Sequence, residues 1–105
     1  MFQSINKDMN SITAIIVAAG RGTRAGNGIP KQYRKIGKKS ILHHTINSLL
    51  AHNKINNVLC VIHEDDITLF ADIASKINNI RLSKAILGGE TRSESVFNGL
   101  KSVSS

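Results

Sequence analysis

Four glycines and three cations crowd the stretch Gly20-Arg21-Gly22-Thr23-Arg24-Ala25-Gly26-Asn27-Gly28-Ile29-Pro30-Lys31, and no acidic residue occurs between Ser11 and Gln32. Glycine admits positive φ and lets a backbone approach a ligand closely, and its successive N–H groups can form an anion-binding nest. Arg21, Arg24 and Lys31, spaced along such a loop, supply the charge that neutralises a polyphosphate. Phosphate binding is the chemistry these residue types support, with a plain structural turn as the competing reading. A second glycine pair, Gly88-Gly89, opens the run Glu90-Thr91-Arg92-Ser93-Glu94-Ser95-Val96.

The spacing Gly20-x-Gly22-x-x-Ala25 also fits the dinucleotide fingerprint. That fingerprint needs a helix to open at once, so that its N-terminus meets the pyrophosphate. Gly26, Asn27, Gly28 and Pro30 oppose a helix at that place. No acidic residue follows about twenty positions on to hold a ribose. The dinucleotide reading is rejected.

Both glycine stretches follow apolar runs. Ile12 to Ala18 is a β-branched run of the kind found in strands buried on both faces. Tyr33 to Ile36 is expected to add a short extended piece. Ser40 reads as an N-cap, and Ile41, Leu42, Ile46, Leu49 and Leu50 recur at helical spacing to about His52. Val58 to Ile62 reads as a second strand. Asp65 and Asp66 favour a helix N-terminus, with Ile67, Phe70, Ile73, Ala74 and Ile77 on its inner face until Asn78-Asn79 breaks it. A third strand is expected over Arg81 to Leu87, and a last helix from Arg92 to about Val103. Alternation of strands and helices predicts an α/β fold with a parallel sheet and helices on both faces. Ligands of such sheets bind beyond the carboxyl ends of the strands, where both glycine stretches lie.

The chain has 105 residues, 41% of them hydrophobic, which suits one small globular domain or part of a larger one. With 14 Lys and Arg against 7 Asp and Glu, its formal net charge is +7. Nucleic-acid binding is not expected, because the four aromatics Phe2, Tyr33, Phe70 and Phe97 are too scattered for a base-stacking platform. Many of the cations cluster between Arg21 and Lys39, as a small polyanionic substrate requires. No run approaches the ~20 apolar residues of a membrane span, so no membrane partner is expected. Residues 1–11 hold no secretory signal and are expected to be a flexible leader. The lone Cys60 excludes a disulfide framework and, inside an apolar strand, reads as core. His43, His44, His52 and His63 show no metal-ligand spacing and are read as structural or exposed. A reducing, cytoplasmic compartment is expected.

Ala18-Ala19-Gly20-Arg21-Gly22-Thr23-Arg24 followed by Pro30-Lys31-Gln32-Tyr33 resembles the first motif of the 2-C-methyl-D-erythritol 4-phosphate cytidylyltransferase family. Gly88-Gly89-Glu90-Thr91-Arg92-Ser93-Glu94-Ser95-Val96 resembles its second, at the expected separation. The first motif alone fits many sugar-nucleotide pyrophosphorylases; the pair is more specific. The resemblance implies a Rossmann-like nucleotidyltransferase sheet, truncated here to about three strands. It also implies transfer of CMP from CTP, with Mg2+, to a small phosphorylated polyol in isoprenoid synthesis. On this resemblance Arg24 and Lys31 would be catalytic cations at the α- and β-phosphates. Ala18, Ala19, Gly20 and Gly22 would contact base and phosphates, and Gly89, Glu90 and Ser95 would read cytosine and ribose. Glu90 stands where the family commonly has Asp.

The match spans Ile12 to Val103, about the first half of the family's catalytic domain. The family's metal-holding aspartate is expected beyond Ser105, as are the polyol pocket and the arm that forms a homodimer. Residues 12–105 are therefore expected to be the N-terminal part of an incomplete domain, inactive alone. The parent could be a bifunctional form fused to the cyclodiphosphate synthase. Another pyrophosphorylase, forming CDP-ribitol or a sugar nucleotide, or a non-catalytic nucleotide-binding remnant, are the alternatives.

Overall fold

The computed structural model describes residues 2–8, 11–19 and 30–104. In chain order the elements are β1 (Phe2–Asp8), β2 (Ser11–Ala18), β3 (Lys35–Ile36), β4 (Lys39–Ser40), α1 (Ile41–Leu50), β5 (Asn57–Ile62), α2 (Ile67–Ile77), β6 (Ile86–Leu87) and α3 (Arg92–Ser104). Short 3-10 turns at Lys31–Tyr33 and Glu64–Asp66 lead into β3 and α2.

The main sheet has the order β1-β2-β5-β6. β2 and β5 run parallel from Thr13 opposite Asn57 to Ala18 opposite Ile62, and β6 continues the parallel set with Ile86 opposite Val61. Successive side chains of a strand point to opposite faces, and here each face meets helices. Ala14, Ile16 and Ala18 of β2 join Val58, Cys60 and Ile62 of β5 in a core with Leu42 and Ile46 of α1 and Phe70 and Ile73 of α2. Ile15 and Val17 join Leu59 and Val61 on the other face, packed against Val96, Leu100 and Val103 of α3. The expected parallel sheet with helices on both faces is what forms.

Local chemistry sets the helix ends. Ser40 caps α1, its Oγ accepting from His43 N at 3.0 Å. Asn78 closes α2 in the left-handed conformation, φ 45°, which Asn tolerates better than most residues. Arg81 holds the connection between α1 and β5 by donating to the carbonyls of Ile55, at 2.8 Å, and of Leu50.

Two expectations need correction. Residues read as a flexible leader include β1, which pairs antiparallel with β2 from Phe2 opposite Ile16 to Asp8 opposite Ser11, with a register shift between Asn6 and Asp8. The outer edge of β2 would otherwise expose a row of unpaired backbone groups, and β1 covers it. The third strand, expected over Arg81 to Leu87, is regular only at Ile86–Leu87. Its start touches β5 through Val58, which donates to Arg81 O and accepts from Ser83 N, both at 2.8 Å. The chain then leaves the ladder until Ile86.

Burial pushes the Cys60 thiol up to about 12, so it remains protonated and inert as core. Among the described residues no helix is long and apolar enough to cross a membrane.

Deleting residues 1–10 is expected to lower stability on the order of 2 kcal/mol or more, from several ladder hydrogen bonds worth about 0.5–1.5 kcal/mol each. An unchanged urea midpoint for the shortened chain would show that β1 does not hold the edge. A second expectation concerns pH. Burial, then the nearby Lys39, His44 and Lys76, lowers the His43 pKa from 6.5, against a smaller opposing effect of Asp72. The folded state thus disfavours protonated His43. Its contribution is complete above about pH 6.5 and declines as the pH falls below that value. Urea midpoints recorded between pH 7.5 and 5.5 should fall, and less so in His43→Gln.

Candidate functional site

β2, β5 and β6 end side by side, so the residues that follow them share one rim. Ala19 follows β2, His63 follows β5 and Gly88 follows β6. A cleft of about 500 Å³ opens there, bounded by Ala19, His63, Glu64, the segment Gly88 to Arg92, and Ser95.

The second glycine motif is built by its own hydrogen bonds. Gly88 N donates to Ile62 O at 2.8 Å, extending the ladder one step beyond β6. Ser95, only 2% exposed, sits in the first turn of α3 and its Oγ accepts from Gly89 N at 3.2 Å. Thr91 and Glu94 form a capping box: Thr91 N donates to Glu94 Oε1 and Glu94 N donates to Thr91 Oγ1, each at 3.1 Å. A Cβ on Gly88 would lie 2.5 Å from Ser95 Oγ and 2.6 Å from Ala19 Cβ, so this position admits only glycine without displacement.

Ala19, Gly89, Glu90 and Ser95 therefore come together on one cleft, with Ser95 buried and Glu90 exposed. Ala18 lies behind them, buried, and its carbonyl accepts from Gln32 Nε2 at 2.9 Å. Gln32 thus fastens the Pro30-Lys31-Gln32-Tyr33 segment to the end of β2, while Tyr33 is buried in the core. Lys31 is exposed in its turn and does not line the cleft. Gly20, Gly22 and Arg24, with Arg21, lie outside the described residues.

Some lining residues escaped the sequence reading. His63 was read with the other histidines as structural or exposed, yet it lines the cleft, as do Glu64 and Thr91. Their signal was positional: His63 and Glu64 directly follow a buried strand, at the end where parallel sheets bind ligands. In the second glycine motif, Gly88 N and Gly89 N are both engaged within the protein. Among the described residues no group of three or more His, Cys, Asp or Glu could hold a metal ion.

The sequence model of a family described as 2-C-methyl-D-erythritol 4-phosphate cytidylyltransferase matches residues 12–105. A protein of that name from Clostridium botulinum (strain 657 / Type Ba4) is 43% identical over 96 residues, covering 91% of this chain and 42% of the relative. A bifunctional enzyme IspD/IspF from Bartonella bacilliformis is 46% identical over 97 residues, covering 89% of this chain and 23% of the relative. The crystal structure of 4-diphosphocytidyl-2C-methyl-D-erythritol synthase from Anaerococcus prevotii superposes with a TM-score of 0.68 at 30% identity. That superposition covers 85% of this chain and 36% of the other. The chain thus spans less than half the length of these relatives.

Gly88→Ala is expected to destabilise the fold by about 1–3 kcal/mol, the usual cost of forcing extra volume into a packed site. Urea unfolding of the variant measures this, and an unchanged midpoint would mean that the junction yields freely.

Proposed function

The chain belongs to the 2-C-methyl-D-erythritol 4-phosphate cytidylyltransferase family, and from that premise we propose that its cleft takes the base and sugar of CTP. In the whole protein, CMP is then transferred to 2-C-methyl-D-erythritol 4-phosphate and pyrophosphate is released. The supporting observation is the convergence of Ala19 with Gly89, Glu90 and Ser95 on one cleft at the carboxyl end of the parallel sheet. These come from two motifs about seventy residues apart in sequence.

The reaction joins an oxygen of the acceptor's phosphate to the α-phosphorus of CTP while the bond from that phosphorus to the bridging oxygen breaks. The nucleophile is already an anion, so no general base is needed. Charge grows on the non-bridging and leaving oxygens, and positioned cations supply the stabilisation. Arg24 and Lys31 are proposed for that role, with Gly20 and Gly22 offering amides to the phosphates. Ser95, held by the Gly89 amide, orients the base, and Glu90 accepts from the ribose hydroxyls. Mg2+ is proposed to enter with the phosphates of CTP. Among the described residues no group of three or more His, Cys, Asp or Glu forms a ligand set for it. A homodimer of the whole protein and a cytoplasmic location complete the proposal.

Urea unfolding with CTP and Mg2+ tests the nucleotide assignment. A ligand at about a hundred times its dissociation constant stabilises by about 2.7 kcal/mol, so CTP should move the midpoint upward and UTP should move it less. A larger shift with UTP or GTP would favour a different pyrophosphorylase. In the whole protein, Lys31→Ala is expected to reduce transfer at least a hundredfold, the scale of losing one transition-state electrostatic contact, with the fold unchanged. Undiminished turnover would remove Lys31 from the mechanism.

A further inference from the structure

We propose that His63 is a base-reading residue of the cleft, donating from Nε2–H to an acceptor on the pyrimidine ring, O2 or N3 of cytosine. The inference rests on the CTP reading above and adds a recognition group to it. Three observations carry it.

The first is position. His63 directly follows β5, between the ends of β2 and β6, and lines the cleft together with Ala19 and Ser95. Its side chain is 29% exposed, so it faces accessible space.

The second is the ring's proton. His63 Nδ1 accepts from the backbone N–H of Asp65 at 3.0 Å. A neutral imidazole has one donor and one acceptor nitrogen, so a committed acceptor at Nδ1 places the proton on Nε2. The turn at Glu64–Asp66 therefore fixes both the ring's orientation and its tautomer.

The third is the supply of donors. Gly88 N, Gly89 N and Thr91 N are all spent within the protein, on Ile62 O, Ser95 Oγ and Glu94 Oε1. Cytosine presents two acceptors and one amino donor along its edge. The Ser95 hydroxyl and His63 Nε2–H are neutral directional donors on the same cleft, and together they match the two acceptors. The neighbourhood suits the uncharged part of the nucleotide. Among the described residues, the carboxylates of Glu64 and Glu90 line this cleft against the single cation Arg92, a poor environment for a triphosphate.

The test measures binding of CTP and of inorganic tripolyphosphate, each with Mg2+, by titration calorimetry of the wild-type chain, His63→Asn and His63→Ala. Asn keeps an oxygen able to accept from Asp65 N–H but cannot place a donor where Nε2 lies. His63→Asn is expected to weaken CTP about 3- to 10-fold, the range of one net hydrogen bond, with tripolyphosphate binding and urea midpoint unchanged. His63→Ala should weaken CTP similarly and also lower the midpoint. Equal CTP affinity in wild type and His63→Asn overturns the inference and leaves the CTP reading standing. Equal weakening of both ligands by His63→Asn also overturns it, because a base contact cannot affect a ligand without a base. A wild-type chain that holds CTP no better than tripolyphosphate overturns the CTP reading and this inference together.

Discussion

Everything at the cleft depends on the close meeting of three chain segments at Gly88. Its amide is tied to Ile62 at the end of β5, and the space a side chain would need is taken by Ala19 after β2 and Ser95 in α3. One missing Cβ thus lets a strand end, a neighbouring strand's exit and a helix's first turn share a junction. The same constraint explains why small residues collect here. Bulk at 88 or 89 would press on Ser95 and Glu94 and push α3 off the sheet, and the hydroxyl of Ser95 would lose the Gly89 amide that holds it.

The junction is only as firm as the layers beneath it. β2 and β5 bury side chains on both faces, with α1 and α2 on one side and α3 on the other. A one-residue slip between them would exchange the two cores, so their register is strongly specified. That register sets Ala18 opposite Ile62 and so places Ala19, His63 and Gly88 along one rim. Gly99 adds to the fit. A Cβ there would stand 3.0 Å from Ile15 Cγ2 and 3.1 Å from Val61 Cγ2, so α3 lies close upon the sheet.

What could be read in the sequence follows from what is local. The β-branched run of β2, the Ser40 cap, the apolar spacing of α1 and α2 and the break at Asn78 each rest on neighbouring residues, and each was legible. The fold family was legible because two motifs stood at a fitting distance. The strand β1 was not, because Phe2–Asp8 has little apolar pattern and its pairing is a need of β2 rather than a property of its own residues. The third strand's pairing is likewise non-local: Arg81 and Ser83 bond Val58, and regular pairing resumes only with Ile86 opposite Val61. In the cleft, glycine and serine signalled themselves by motif. His63 has no motif, and its role emerges only when β5 is placed between its neighbours.

The cations face a different physical problem from the neutral donors. Hydrogen-bond recognition of a ring demands fixed geometry, and the residues offered for it are held by the sheet's end: Ser95 by Gly89, His63 by Asp65. Charge neutralisation of phosphates tolerates looser placement but needs reach, which the long side chains of Arg and Lys supply. Long-loop closure is entropically unfavourable, and fastening its ends reduces the freedom that a bound ligand must remove. The Gln32 amide supplies that fastening across 14 positions by donating to the carbonyl of Ala18, the residue just before the segment leaves the sheet. Gln32 therefore belongs with the site although it need touch no ligand. By this bond the turn Lys31–Tyr33, and Lys31 within it, is set beside the end of β2.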